Sequence, residues 1–258
     1  MSIEAFHGLV RQDPVPLGEA ALVAAEVLGH PAPVRAGLER LDELASGVAG
    51  RDLDAVCAHL FGELGFQGNR AEYFDAANSL LPIVLSERRG IPVTLAIVVV
   101  EVARRRGIPA SVACMPGHVL VVDDAHAGRW VDAFAGGAVL DEAGARRRFT
   151  SIHGPSAPFT AAYLAATPER LVLARLLGNL VGIFSELGDA RHLVRVHQLR
   201  YALPELCDEE RATLALALGR VGRHVEAAEL WELEAARADG LAAERAERRA
   251  RAARANLN

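Results

Sequence analysis

His118 and Asp132 are the two side chains of this sequence best placed to do chemistry together. Residues 118–123 and 129–134 read as successive strands of one hairpin, where cross-strand neighbours stand about 5 Å apart. An imidazole–carboxylate contact is therefore within reach. A histidine so held takes the proton of a nucleophile, while the carboxylate fixes its tautomer and steadies the imidazolium. The nucleophile is harder to find. Thr94 offers a hydroxyl, which needs a strong base because its pKa lies far above that of a thiol. Cys114 is a thiol close before His118 in sequence, but an extended chain at roughly 3.3 Å per residue would hold them about 13 Å apart. Only a tight turn at Pro116-Gly117 would shorten that. Cys57 reads as a core residue of an amphipathic helix, where a free cysteine acts as a small hydrophobe. The plain alternative is that His118 and Asp132 form a structural pair kept for packing.

Other chemistries find less support. The remaining histidines form no H-x-x-x-H or carboxylate-linked cluster, so neither a metal site nor any cofactor is expected; His126 reads as a solvated turn residue. The three cysteines (Cys57, Cys114 and Cys207) are scattered and in no C-x-x-C spacing, which excludes a disulfide framework and a zinc site. All 28 basic residues are Arg. A Schiff-base lysine and a phosphate-binding P-loop lysine are thereby excluded. A net charge of −5 gives no electrostatic footprint for nucleic acid. The longest apolar run, Ile91 to Val100, is far short of the roughly 20 residues of a membrane helix. No charged segment followed by an apolar stretch opens the chain, so no secretory signal is expected. The expectation is a cytoplasmic protein that meets neither nucleic acid nor membrane, with no signature of oligomeric state.

The elements that must position the pair follow from periodicity. Residues 17–28, 34–48 and 52–64 carry apolar residues at helical spacing, with Val34, Leu38, Leu41, Leu44, Ala45 and Val48 forming one stripe. Gly65–Ala77 reads as a loop, after which Asp75 or Asn78 can cap a helix over 78–88. Gly90 is placed as that helix's left-handed terminus, and Pro92 as the first residue of the next helix, where a missing N–H costs nothing. Helix 92–106 is apolar nearly all round, which places it at the centre of its domain. Its last three residues, Arg104 to Arg106, suit the negative end of the helix dipole. From Ala110 the period becomes two, with strands over 110–114, 118–123 and 129–134. A mixed region and a Pro/Gly-containing linker at Ser151–Phe159 follow. In the helical tail, Leu187-Gly188-Asp189 and Val221-Gly222-Arg223 lie 34 residues apart, the tetratricopeptide period. Two units are fewer than the roughly three a freestanding array needs, so they should dock on the first domain.

The stretch Asn78–Phe134 resembles the core of the transglutaminase-like, papain-related superfamily. In that core a helix opens on a nucleophilic Cys, runs to an R-x-x-G-I-P-A ending, and passes into strands bearing His and then Asp. Arg104–Ala110 carries that ending, and His118 and Asp132 fall where the pair is expected. Counting back from Gly107 by the family's usual helix length, the nucleophile's position falls at or near Pro92. The resemblance implies a thiol enzyme's architecture without its thiol. Gly65–Asn69, Tyr73–Ser79, Val84–Pro92, Pro116–His118 and Val131–Gly137, followed by a tetratricopeptide-like tail, are similar to the bacterial SirB family. VDAF and FDAANS depart from its usual VDPF and from a Pro before NS, both in loops.

The expected fold is α+β. A transglutaminase-like core over 65–150 has a central helix packed on a small antiparallel sheet; a helical part over 1–64 precedes it, and together they make a domain over 1–155. A tetratricopeptide-like α-helical repeat region with a charged tail covers 156–258. The cleft is expected to be lined by Asn78, Ser79, Pro92 and Gly117. Its function is expected to be binding a protein or peptide partner through the cleft or the helical repeats, without catalysis. The alternative is an acyl-transfer or hydrolytic enzyme using His118 and Asp132 with a substitute nucleophile, Thr94 or Cys114.

Overall fold

The structure, a computed structural model, describes residues 2–256. The N-terminal part is helical: α1 (Ile3–Leu9), α2 (Leu17–Val27), α3 (Val34–Ser46) and α4 (Leu53–Cys57), the last widening into a π-turn over Ala58–Glu63. The apolar stripe of α3 is buried at Val34, Leu41, Leu44 and Ala45. Helices α2 and α3 approach closely at Gly37, where a Cβ would lie 2.3 Å from a Leu22 methyl.

A two-stranded parallel ladder then joins β1 (Gln67–Gly68) to β2 (Arg89–Gly90). Between them lie a 3₁₀ turn, Ala76–Ser79, and α5 (Leu81–Glu87). Two sequence expectations need correction here. The helix over 78–88 is split: Asp75 caps only the 3₁₀ turn, accepting from Ala77 N–H at 2.9 Å, and α5 starts after Leu80. The left-handed terminus is Arg88, at φ 57°, rather than Gly90. Gly90 is needed for another reason. A Cβ there would lie 2.7 Å from Thr94 Oγ1.

Helix α6 (Pro92–Arg105) opens at Pro92 and is buried along nearly its whole length. Such a helix can only be central. It packs against α2, α3, α5 and the first strands of an antiparallel meander, β3 (Ala110–Ala113), β4 (Leu120–Asp123), β5 (Trp130–Asp132) and β6 (Ala138–Leu140), in that spatial order. Arg104 and Arg105 do more than face the dipole, because both meet the buried carboxylate of Glu101, which also accepts Gly18 N–H. Strand β6 and α7 (Glu142–His153) lie in the stretch read as mixed; Asp141 caps α7 by accepting Gly144 N–H at 2.7 Å.

Five helices complete the chain: α8 (Glu169–Glu186), α9 (Ala190–Tyr201), α10 (Cys207–Arg220), α11 (His224–Arg237) and α12 (Gly240–Ala255). α8 with α9 and α10 with α11 form hairpins, turning at Gly188 and Gly222, both with positive φ. Val172, Leu173, Leu176, Leu177 and Leu180 of α8 enter the same core as α6. That contact brings a face of α8 over the His118 region. No helix of the described residues is long and apolar enough to cross a membrane.

Candidate functional site

The turn at Pro116-Gly117, with Gly117 at φ 74°, sets His118 just ahead of β4 rather than within a strand. Its backbone N–H donates to Met115 C=O at 3.0 Å, and the ring is almost wholly buried. Asp132 ends β5 and is fully buried. One of its oxygens caps the following 3₁₀ turn, accepting Ala135 N–H at 3.0 Å. The other, Oδ2, stands 3.0 Å from His118 Nε2. That contact is close but out of line for a straight hydrogen bond.

Asp132 has a second partner that the sequence did not reveal. Arg148 of α7 reaches the same oxygen at 2.9 Å. Burial alone would push the Asp132 carboxyl up, but His118, Arg148 and the Ala135 N–H outweigh it, and the group is held below the ordinary carboxylate range. The available sequence signal was Asp141 ahead of Glu142 in a helix-capping position, which would have put Arg148 on a helix.

The crevice beside His118 is walled by Pro92 and Val93 from the start of α6 and by Gly117 and Val119 from the turn. Tyr73, Arg175 and Asn179 close it, the last two from α8. It has no room for a water molecule. Of the residues expected to line a cleft, Pro92 and Gly117 border this crevice. Asn78 and Ser79 do not; they are buried behind the first turn of α6. The Asn78 side chain accepts Asn69 Nδ2–H at its Oδ1 and donates from Nδ2 to the Glu72 and Tyr73 carbonyls, an internal brace for the loop. The buried Ser79 hydroxyl has no hydrogen-bond partner among the described residues.

The substitute nucleophiles are not brought to the imidazole. Thr94 is fully buried; its Oγ1 accepts Ile91 N–H at 3.1 Å and donates to Asn78 C=O at 2.8 Å. It ties the first turn of α6 to the preceding loop. Cys114 follows β3, where its N–H donates to Thr167 Oγ1 at 2.9 Å. No hydrogen bond joins either residue to His118 among the described residues. Burial pushes the Cys114 thiol up, against opposing effects of Thr167 and Arg175, and pushes Cys57 up to about 12. His59, His126, His192 and His197 each meet a carboxylate, so the fold links histidines to acids pairwise where the sequence suggested none. Among the described residues no three metal-binding side chains come together.

Helix α6 thus begins beside the His118–Asp132 pair. The chain belongs to the transglutaminase-like superfamily, whose family model matches residues 33–178. A UPF0162 protein of Pseudomonas aeruginosa is 31% identical over 196 residues, covering 69% of this chain and 68% of that protein. A UPF0162 protein of Xylella fastidiosa is 38% identical over 137 residues, 51% of this chain and 48% of that protein. The chain therefore spans about half the length of the Xylella relative. F-box only protein 21 of mouse is 29% identical over 141 residues, 51% of this chain and 21% of that protein. No solved structure is a significant match.

Proposed function

We propose that this chain is a non-catalytic transglutaminase-like protein that binds a peptide or protein partner in the cytoplasm. One observation carries the reading. Where the superfamily resemblance places a thiol, Pro92 stands against His118, in a crevice that excludes water. A base without a nucleophile or a water to activate has nothing to deprotonate. The SirB resemblance and the 34-residue spacing of the tail turns support reading α8–α11 as tetratricopeptide-like units, which offer a second surface to extended partners. The decisive experiment sets wild type beside Tyr73→Ala and His118→Ala. Partner capture that needs Tyr73 but not His118, with no hydrolysis of peptide or activated-ester substrates above buffer, supports binding. Turnover abolished by His118→Ala would overturn it.

A second reading draws on the ionised, doubly contacted Asp132 beside His118. In it the pair serves a residual acyl-transfer or hydrolytic enzyme with Cys114 as nucleophile. Turnover above buffer that is lost with Cys114→Ala and also with His118→Ala would establish it. A thiol-reactive electrophile that labels no cysteine alongside turnover would remove it.

A further inference from the structure

One face of α8 forms the floor of a groove that starts at the His118 crevice. Arg175, Gly178, Asn179, Gly182, Ile183 and Glu186 recur at helical spacing along that face, and all line either the crevice or the depression that continues from it. Tyr73 and Asn179 belong to both. Tyr73, Phe74 and Ile91 form the facing wall, and the Phe74 ring is 72% exposed although it touches Tyr73 edge-on.

Three donors at the crevice end are unused. Arg175 meets no carboxylate, and neither the Tyr73 hydroxyl nor the Asn179 amide makes a side-chain hydrogen bond within the chain, among the described residues. A guanidinium, an amide and a phenol at one mouth are complementary to a carboxylate. At the other end Glu186 is an exposed acid without an ion pair among the described residues. Eleven helical steps separate the two charges, about 16 Å at 1.5 Å per residue, and an extended peptide covers that in about five residues.

The floor itself is informative. Glycine inside a helix is destabilising relative to alanine, yet α8 carries two on this face. A Cβ at Gly182 would meet nothing within 4 Å, and one at Gly178 only Arg200 Nη1 at 3.5 Å, an ordinary contact. No neighbour among the described residues requires either glycine, so the space they leave is available to something outside the chain.

We propose that this groove seats the free C-terminal end of a partner polypeptide. Its α-carboxylate lies on Arg175, Asn179 and Tyr73, its apolar side chains lie over Gly178 and Gly182 beside Phe74, and a basic group about four residues back lies near Glu186. The chain must end at Arg175, because beyond it the crevice walled by Pro92, Val93 and His118 admits not even water. The placement rests on the peptide-binding reading above and names the site and the end of the ligand.

The test titrates the full chain by calorimetry with a pentapeptide of basic first residue and apolar third to fifth residues, as free acid and as C-terminal amide. The free acid should bind about tenfold or more tightly than the amide, with Arg175→Gln erasing that difference, since a hydrogen bond to a charged group is involved. Gly182→Leu should abolish binding while the melting temperature holds or rises. Equal binding of acid and amide, or indifference to Arg175→Gln, overturns the placement and leaves peptide binding elsewhere intact. An amide ending in Asp that binds as well as the free acid overturns the terminal assignment. Decanoate competing with the same Arg175 dependence replaces a peptide by a fatty acid. No binding at millimolar peptide also overturns the groove, and partner capture by wild type that Arg175→Gln and Gly182→Leu leave unchanged then upholds the broader reading separately.

Discussion

His118 Nε2 and Arg148 Nη2 converge on one oxygen of Asp132, at 3.0 and 2.9 Å. In a working triad the carboxylate orients a single imidazole. Here it is shared with a guanidinium from α7, and its other oxygen is engaged as a helix cap. The carboxylate is therefore a structural junction of β5, the His118 turn and α7, whatever chemistry it retains.

That junction should show in the pH dependence of stability. A carboxylate with a folded pKa below its unfolded value contributes stability that is complete above the unfolded pKa and is lost as pH falls through the folded one. For Asp132 the loss should run from about pH 5 downward. Asp132→Asn should cost about 1.5–3 kcal/mol at pH 7, and the gap to wild type should narrow toward pH 3. Denaturant unfolding at several pH values measures it; a gap independent of pH would show that Asp132 is not ionised in the fold.

Thr94 should behave as a cap. Thr94→Val removes the acceptor for Ile91 N–H and the donor to Asn78 C=O in a buried site, costing about 2 kcal/mol. For a chain of this size that lowers the melting temperature by roughly 4–8 °C. Thr94→Ser should recover most of it. A nucleophile's role would instead leave stability untouched in both variants, with any turnover lost in Thr94→Val and kept in Thr94→Ser.

Cys57 and Cys114 should be inert in the folded state. With Cys57 pushed to about 12, the thiolate fraction at neutral pH is roughly one in 10⁴ or less, and burial raises Cys114 in the same direction. Iodoacetamide should leave both unmodified until denaturant is added, as peptide mapping would report. Rapid labelling of Cys114 in native buffer would reopen the catalytic reading.

The local features of this site were legible because they depend on near neighbours. The all-apolar stretch after Pro92 marks a central helix, and the alternation after Ala110 marks the hairpin that joins His118 to Asp132. Long-range contacts were not legible. Arg148 and Arg175 sit on α7 and α8, and nothing in their own windows says which turn of chain they meet. The end of α5 was misplaced because Arg88 takes the left-handed conformation usually given to glycine, while Gly90 answers a different demand, room for Thr94. Asn78 and Ser79 looked like cleft residues from the motif alone; the fold turns them inward.

Restoring a sulfur gives the sharpest test of what the crevice was built for. Pro92 begins α6 beside His118, where unpaired N–H groups and the helix dipole lower a thiol's pKa. Pro92→Cys gives up some rigidity in the unfolded chain, about 0.4–1 kcal/mol, and should still fold. Its thiolate absorbance should titrate below the ordinary value of about 8.5, and His118→Ala in the same background should move it upward by removing the neighbouring imidazole. If the introduced thiol titrates normally with and without His118, the imidazole does not address this position, and the His118–Asp132 pair is packing alone.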